Sequence, residues 1–153
     1  MNKTIFTIII SLISFGCKLQ NTINQDLKNE LDSILIRDQI FREYIDVQTN
    51  ELRKQEIAKR TGYSKEFLDH HILAIITATD SLNLVKVEKI ISKYGYPGKS
   101  LVGQPTNTAA FLVIQHSPNI KKYYSLIEKA GKNKEIPFTD VAMMLDRKLI
   151  EEK

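Results

Sequence analysis

Apolar residues recur along this chain at helical spacing, and no stretch alternates apolar and polar long enough to predict a strand. From Asp26 to about Val47, Leu27, Leu31, Ile34, Phe41 and Ile45 lie on one helical stripe. Four residues beyond Ile34 that stripe reaches Asp38, near the centre of the apolar face. An isolated buried charge costs several kcal/mol, so this carboxylate must be paired or hydrogen-bonded. Arg42, one turn further on, is the local partner. Ile36, Ile40 and Val47 make a second apolar strip, which predicts a helix covered on both faces and central to the fold.

The segment from Gln48 to Gly62 is charged and reads as a short, mostly solvated helix. Its bases Arg53, Lys54, Lys59 and Arg60 are interspersed with Glu51 and Glu56, the pattern of a solvated face rather than of a phosphate or lipid-headgroup patch. Ser64 caps a predicted helix from Lys65 to Ala78, with Phe67, Leu68, Ile72, Ala74, Ile75 and Ile76 inside. Asp80 or Asn83 would cap the next, burying Leu84, Val87, Ile91 and Tyr94 and ending at Gly95.

Tyr96 to Pro105 is the largest break in the chain. A very apolar helix from about Thr106 to His116 follows, a composition expected of an element buried on most sides. Ser117 and Pro118 then fit the cap and first position of a helix with Ile120, Tyr124, Ile127 and Ala130 inside, stopping at Gly131. Thr139 or Asp140 would cap a last helix that buries Val141, Met144, Leu145 and Leu149. The prediction is an all-α fold, a compact single-domain bundle of five to seven helices over residues 26–153.

Composition adds limits. With 153 residues and 42% hydrophobic content the chain can bury one core. Twenty-two Lys and Arg against eighteen Asp and Glu leave +4, a weak field, and no basic stripe carries interleaved aromatics, so no nucleic acid is expected. The single cysteine, Cys17, excludes a disulfide framework and a cysteine metal cage.

Cys17 has a meaning by position. Met1-Asn2-Lys3 followed by the apolar run Thr4 to Ile13 has the layout of a secretory signal. Ser14-Phe15-Gly16-Cys17 is similar to the bacterial lipobox, in which the cysteine is acylated and becomes the new N-terminus. The expected organisation is a lipoprotein signal over 1–17, a polar tether over 18–25, and the helical domain. Membrane lipid is then one partner, and the bacterial cell envelope, facing the periplasm or exterior, the location.

Candidate chemistry is sparse. Gly98-Lys99-Ser100 lacks the preceding glycine and strand of a P-loop. His70 and His71 point apart on a helix and cannot share one ion with Glu66, so no metal is expected there. His116 differs, because it ends the apolar helix, where the dipole favours its cation and acid/base or ligand-binding work is suited. Asp146 and Arg147 add an acid and a base in the last helix.

Asp38-Gln39-x-x-Arg42, Asp80-x-x-Asn83, Tyr94-Gly95-Tyr96-Pro97, Ser100-x-Val102-Gly103, Ala109-Ala110-Phe111 running into Gln115-His116, and Asp146-Arg147 occur in that order. The constellation resembles a bacterial domain-of-unknown-function family of small, often secreted or lipid-anchored proteins, and does so from Leu31 to Ile150. Family members commonly continue into a Gln and a Tyr-Gly-Thr tail, which this chain does not show before Lys153. The resemblance implies no reaction, but it groups Asp38, Gln39, Arg42, Gln115, His116, Asp146 and Arg147 as a candidate polar site. These residues either form a buried polar network that fixes how the helices cross, every member satisfied by another, or bind a ligand. Two functional readings follow: a noncatalytic helical module that binds an unidentified protein or a small polar or anionic ligand, and a small ligand-processing enzyme using Asp38, Arg42, His116 and Asp146. Neither calls for a cofactor.

Overall fold

The computed structural model describes residues 22–118 and 120–151. The expected signal segment with Cys17, and the expected tether up to Asn21, lie outside the described residues, as does Asn119. Among the described residues the fold is all-α, with seven α-helices and one 3-10 turn. They are α1 (Gln25–Ile45), α2 (Glu51–Thr61), α3 (Lys65–Tyr94), α4 (Lys99–Val102), α5 (Ala109–Gln115), α6 (Ile120–Lys132) and α7 (Phe138–Glu151), with the turn Thr106–Thr108 leading into α5.

The fold begins inside the expected tether. Asn24 accepts the Leu27 N–H as cap of α1, and its own N–H donates to Leu101 O at 2.9 Å. Along α1 the buried face runs Leu27, Leu31, Ile34, Asp38, Phe41, Tyr44, so the stripe is as predicted except that Tyr44 replaces Ile45. The second strip is covered only in part: Ile40 packs against a buried apolar cluster, but Ile36 is 56% and Val47 98% exposed, because α1 packs on α2, α3 and α5 mainly from the other side.

The largest correction concerns α3. It is one helix of 30 residues where two were expected, and Asp80 and Asn83 lie inside it. Residues that favour caps do so because their side chains compete for backbone groups. Here most of those needs are met without a break, while Asn83 keeps both amide atoms unpartnered. Thr77 and Ser81 donate back to Leu73 O and Thr77 O at 3.0 Å each, and Asp80 pairs with Arg42 of α1. Phe67, Ala74 and Tyr94 are exposed, since only a narrow line through Leu68, Thr79, Asn83, Val87 and Ile90 faces the other helices.

Ser117 donates to Ile114 O at 2.7 Å at the end of α5, and α6 starts at Ile120. Tyr123, not Tyr124, is the buried ring of α6, and it donates to Glu88 on α3. The helix passes through Gly131, where a Cβ would collide with Val141 of α7, so glycine permits the close approach of the two helices. The last helix begins at Phe138, which puts Thr139 and Asp140 in its first turn, and Leu145 and Leu149 are exposed because α7 packs mainly on α6 through Val141 and Met144.

Two apolar clusters result. The larger joins Leu27, Leu31 and Ile34 to Val87, Ile90, α5, α6 and α7; the smaller holds Phe41, Tyr44, Ile57, Ala58 and Leu68. Asp38 falls between Ile34 and Phe41 on α1, and Asp80 and Asn83 fall between Ile76 and Val87 on α3. A polar layer therefore separates the two cores.

Candidate functional site

Three helices build that layer: the middle of α1, the middle of α3, and the C-terminal end of α5. Asp38 enters it because the apolar period of α1 carries its side chain inward, and the carboxylate is wholly buried. Its Oδ2 takes every contact. Gln39 Nε2 donates to that oxygen at 2.6 Å, Arg42 Nε lies 3.5 Å away, and His116 Nδ1 lies 3.4 Å away. Arg42 spans the layer, donating from Nη2 to Asp80 Oδ1 at 2.5 Å, and so ties α1 to α3. Side-chain exposure rises outward, from 0% at Asp38 to 16% at His116, 20% at Asp80 and 25% at Arg42.

Burial pushes the Asp38 carboxyl up, but the His116 ring, the Arg42 guanidinium and the Gln39 amide together outweigh it and hold the group below its ordinary value. Asp38 is therefore an anion at neutral pH. Its Oδ1 has no hydrogen-bond partner in the described structure, and neither do Arg42 Nε, His116 Nδ1, Gln115 Oε1 or either amide atom of Asn83, all buried. Buried polar groups in folded proteins are nearly always satisfied.

The structure sorts the sequence-predicted residues. Asp38, Arg42 and His116 converge, and Gln39 joins from an exposed position. Gln115 is buried beside them, and its backbone carbonyl accepts from Arg147 Nη1 at 3.1 Å, so Arg147 braces α7 against the end of α5. Asp146 is exposed and stays outside the cluster, as adjacent helical residues must point in different directions. Asp80 and Asn83, read from sequence as alternative helix caps, are site residues; their spacing of three, one face of a helix, was the available signal.

Asp38, Asp80 and His116 each offer a ligand atom, all within 4.8 Å of one another, an arrangement that suits a divalent cation. The Arg42 guanidinium already stands between the two carboxylates, so an ion would have to displace it. Outward, Arg42 and Gln39 line a groove of about 520 Å³ with Glu43, Asp46 and Arg60.

Other sequence candidates have structural roles. The backbone N–H groups of Lys99 and Ser100 donate to Glu135, at 2.9 Å to its carbonyl and 2.8 Å to its carboxylate, so an acid sits where a P-loop would hold phosphate. His71 stacks on Phe67 with ring centroids 4.2 Å apart. Tyr96 donates to Asn107 O at 2.8 Å, and Asn107 Nδ2 to Glu135 O at 2.8 Å, which pins the Gly-Tyr-Pro loop to the core. No protein-family model, no curated protein and no solved structure matches this chain.

Proposed function

We propose that this chain is a lipid-anchored bacterial envelope protein whose helical domain binds, and through His116 processes, a small polar ligand in the layer formed by Asp38, Arg42, Asp80 and His116. The anchor rests on Cys17 and the lipobox-like residues before it. Two or three acyl chains hold a protein on a membrane where one does not. Among the described residues no helix is long and apolar enough to cross a membrane.

One observation carries the site: Asp38 Oδ1 on α1, both amide atoms of Asn83 on α3 and Gln115 Oε1 on α5 are buried without a hydrogen-bond partner where two apolar cores part. A buried polar network left half-satisfied is worse for stability than an apolar one, and each orphaned group costs about 1–3 kcal/mol. A ligand with both donors and acceptors would offset that cost. Charge narrows its class. Two carboxylates and one guanidinium leave the layer at minus one with His116 neutral and at zero with it protonated, so a neutral or zwitterionic polar molecule fits better than a free anion. The Asp38 carboxylate lies 3.4 Å from His116 Nδ1, and an imidazole placed beside a carboxylate can donate or accept a proton. The noncatalytic reading keeps the same site and omits that step.

Thermal shift against polar metabolites and divalent ions tests the proposal. A ligand present at one hundred times its Kd adds about 2.7 kcal/mol, on the order of 10 °C for a domain of this size. That rise should appear in the wild type and in Asp146→Asn, and vanish in Asp38→Asn. A shift that persists in Asp38→Asn would place the ligand elsewhere.

A further inference from the structure

A second groove, of about 700 Å³, runs between α1, α2 and α3 beside the first and shares Ile36, Ile40 and Arg60 with it. We propose that it binds a free single-chain amphiphile with one anionic head, a carboxylate or a phosphate. Its volume lies within the range of small-molecule sites, about 300–1,000 Å³.

The wall is aromatic and exposed. Tyr63 stacks on Phe67 with centroids 5.4 Å apart and planes 8° from parallel, and His71 continues the stack, while Phe41 closes the floor against Tyr63. Tyr63 and Phe67 are 40% and 42% exposed, and Ile36 and Leu82 extend the apolar surface. Continuous exposed apolar surface of this kind marks binding sites.

The charge is one-sided. Arg37 and Arg60 line the groove together with His71, and no carboxylate does. Neither arginine makes an ion pair among the described residues. Glu43, which feels the Arg60 charge, is itself held by Arg53 at 2.6 Å. Two uncommitted guanidinium groups above an apolar trough match an anionic head above an apolar tail, and the planar fork accepts carboxylate and phosphate alike. The proposal is independent of the polar layer, because Asp38, Asp80 and His116 do not line this groove.

The test is displacement of a dansyl-labelled undecanoate from the full chain, which contains no tryptophan to interfere with the signal. Dodecanoate or dodecyl phosphate should displace the probe, and which of them does so more strongly identifies the head. Dodecanol should be at least tenfold weaker, and Arg37→Gln with Arg60→Gln should erase that difference. Ala78→Trp, at an exposed position in the groove, should abolish binding without lowering the melting temperature, and Phe67→Ser should weaken it. Absence of displacement, equal binding of dodecanol, binding that survives Ala78→Trp, or association with anionic vesicles but not with the monomeric amphiphiles would each overturn the proposal.

Discussion

Replacing Asp38 by asparagine removes one charge and almost no volume from the centre of the polar layer, so it isolates the electrostatic part of the site. At an effective dielectric constant near 20, opposite charges about 3.5 Å apart attract by roughly 5 kcal/mol, against a desolvation penalty of several kcal/mol for the buried carboxylate. The net favours the ion, since the group is held below its ordinary value despite burial. Breaking a buried pair by removing one partner costs about 3–5 kcal/mol. Arg42 keeps Asp80 at 2.5 Å and is a quarter exposed, so its loss is partial and the expected cost of Asp38→Asn is about 2–3 kcal/mol. Urea denaturation at pH 7 measures it. The sign of the pH dependence is fixed by the same argument. A carboxylate lowered in the folded state contributes stability that is fully present above its unfolded value of 3.8 and lost as the pH falls through the folded value. The gap between wild type and variant should therefore narrow below that point. An Asp38→Asn protein as stable as wild type at pH 7 would show that the buried carboxylate makes no net contribution.

Asp140 should behave in the opposite sense. It stands in the first turn of α7, where the dipole favours an anion, but its Oδ2 is buried without a hydrogen bond and burial pushes the carboxyl up. Ionisation then costs stability as the pH rises through the folded value, so Asp140→Asn should raise the melting temperature at pH 7 and lose that advantage below about pH 4. Gly131→Ala should destabilise by about 1–3 kcal/mol in denaturant titration, because the added methyl meets Val141. Combining it with Val141→Ala should cost less than the two single changes together.

Much of the fold was legible because helical period and burial coincide. Asp38 announced itself as a carboxylate in the middle of an apolar stripe, and His116 as the end of an apolar helix before Ser-Pro. Residues that satisfy themselves through tertiary contacts were misread. Asp80 looks like a cap to any local reading, and nothing within several turns reveals that Arg42, 38 positions away, is its partner. Phe67 looks like a core residue by type, whereas it stacks on Tyr63 and His71 at the surface. Arg60 read as one base on a solvated face, and only the packing of α2 against α1 and α3 places it beside an aromatic trough. Asp146 was grouped with Arg147 by adjacency, and helix geometry lets only the arginine reach α5.

Whether the layer between the two cores holds a molecule that is not part of the chain is a structural question. A crystal structure of the protein, at a resolution that shows ordered waters and ions, addresses it directly. Such a molecule should appear as density larger than a single water within hydrogen-bonding distance of Asp38 Oδ1 and of at least one of Asn83, Gln115 and His116. A layer whose polar atoms pair only with one another or with isolated waters would contradict it.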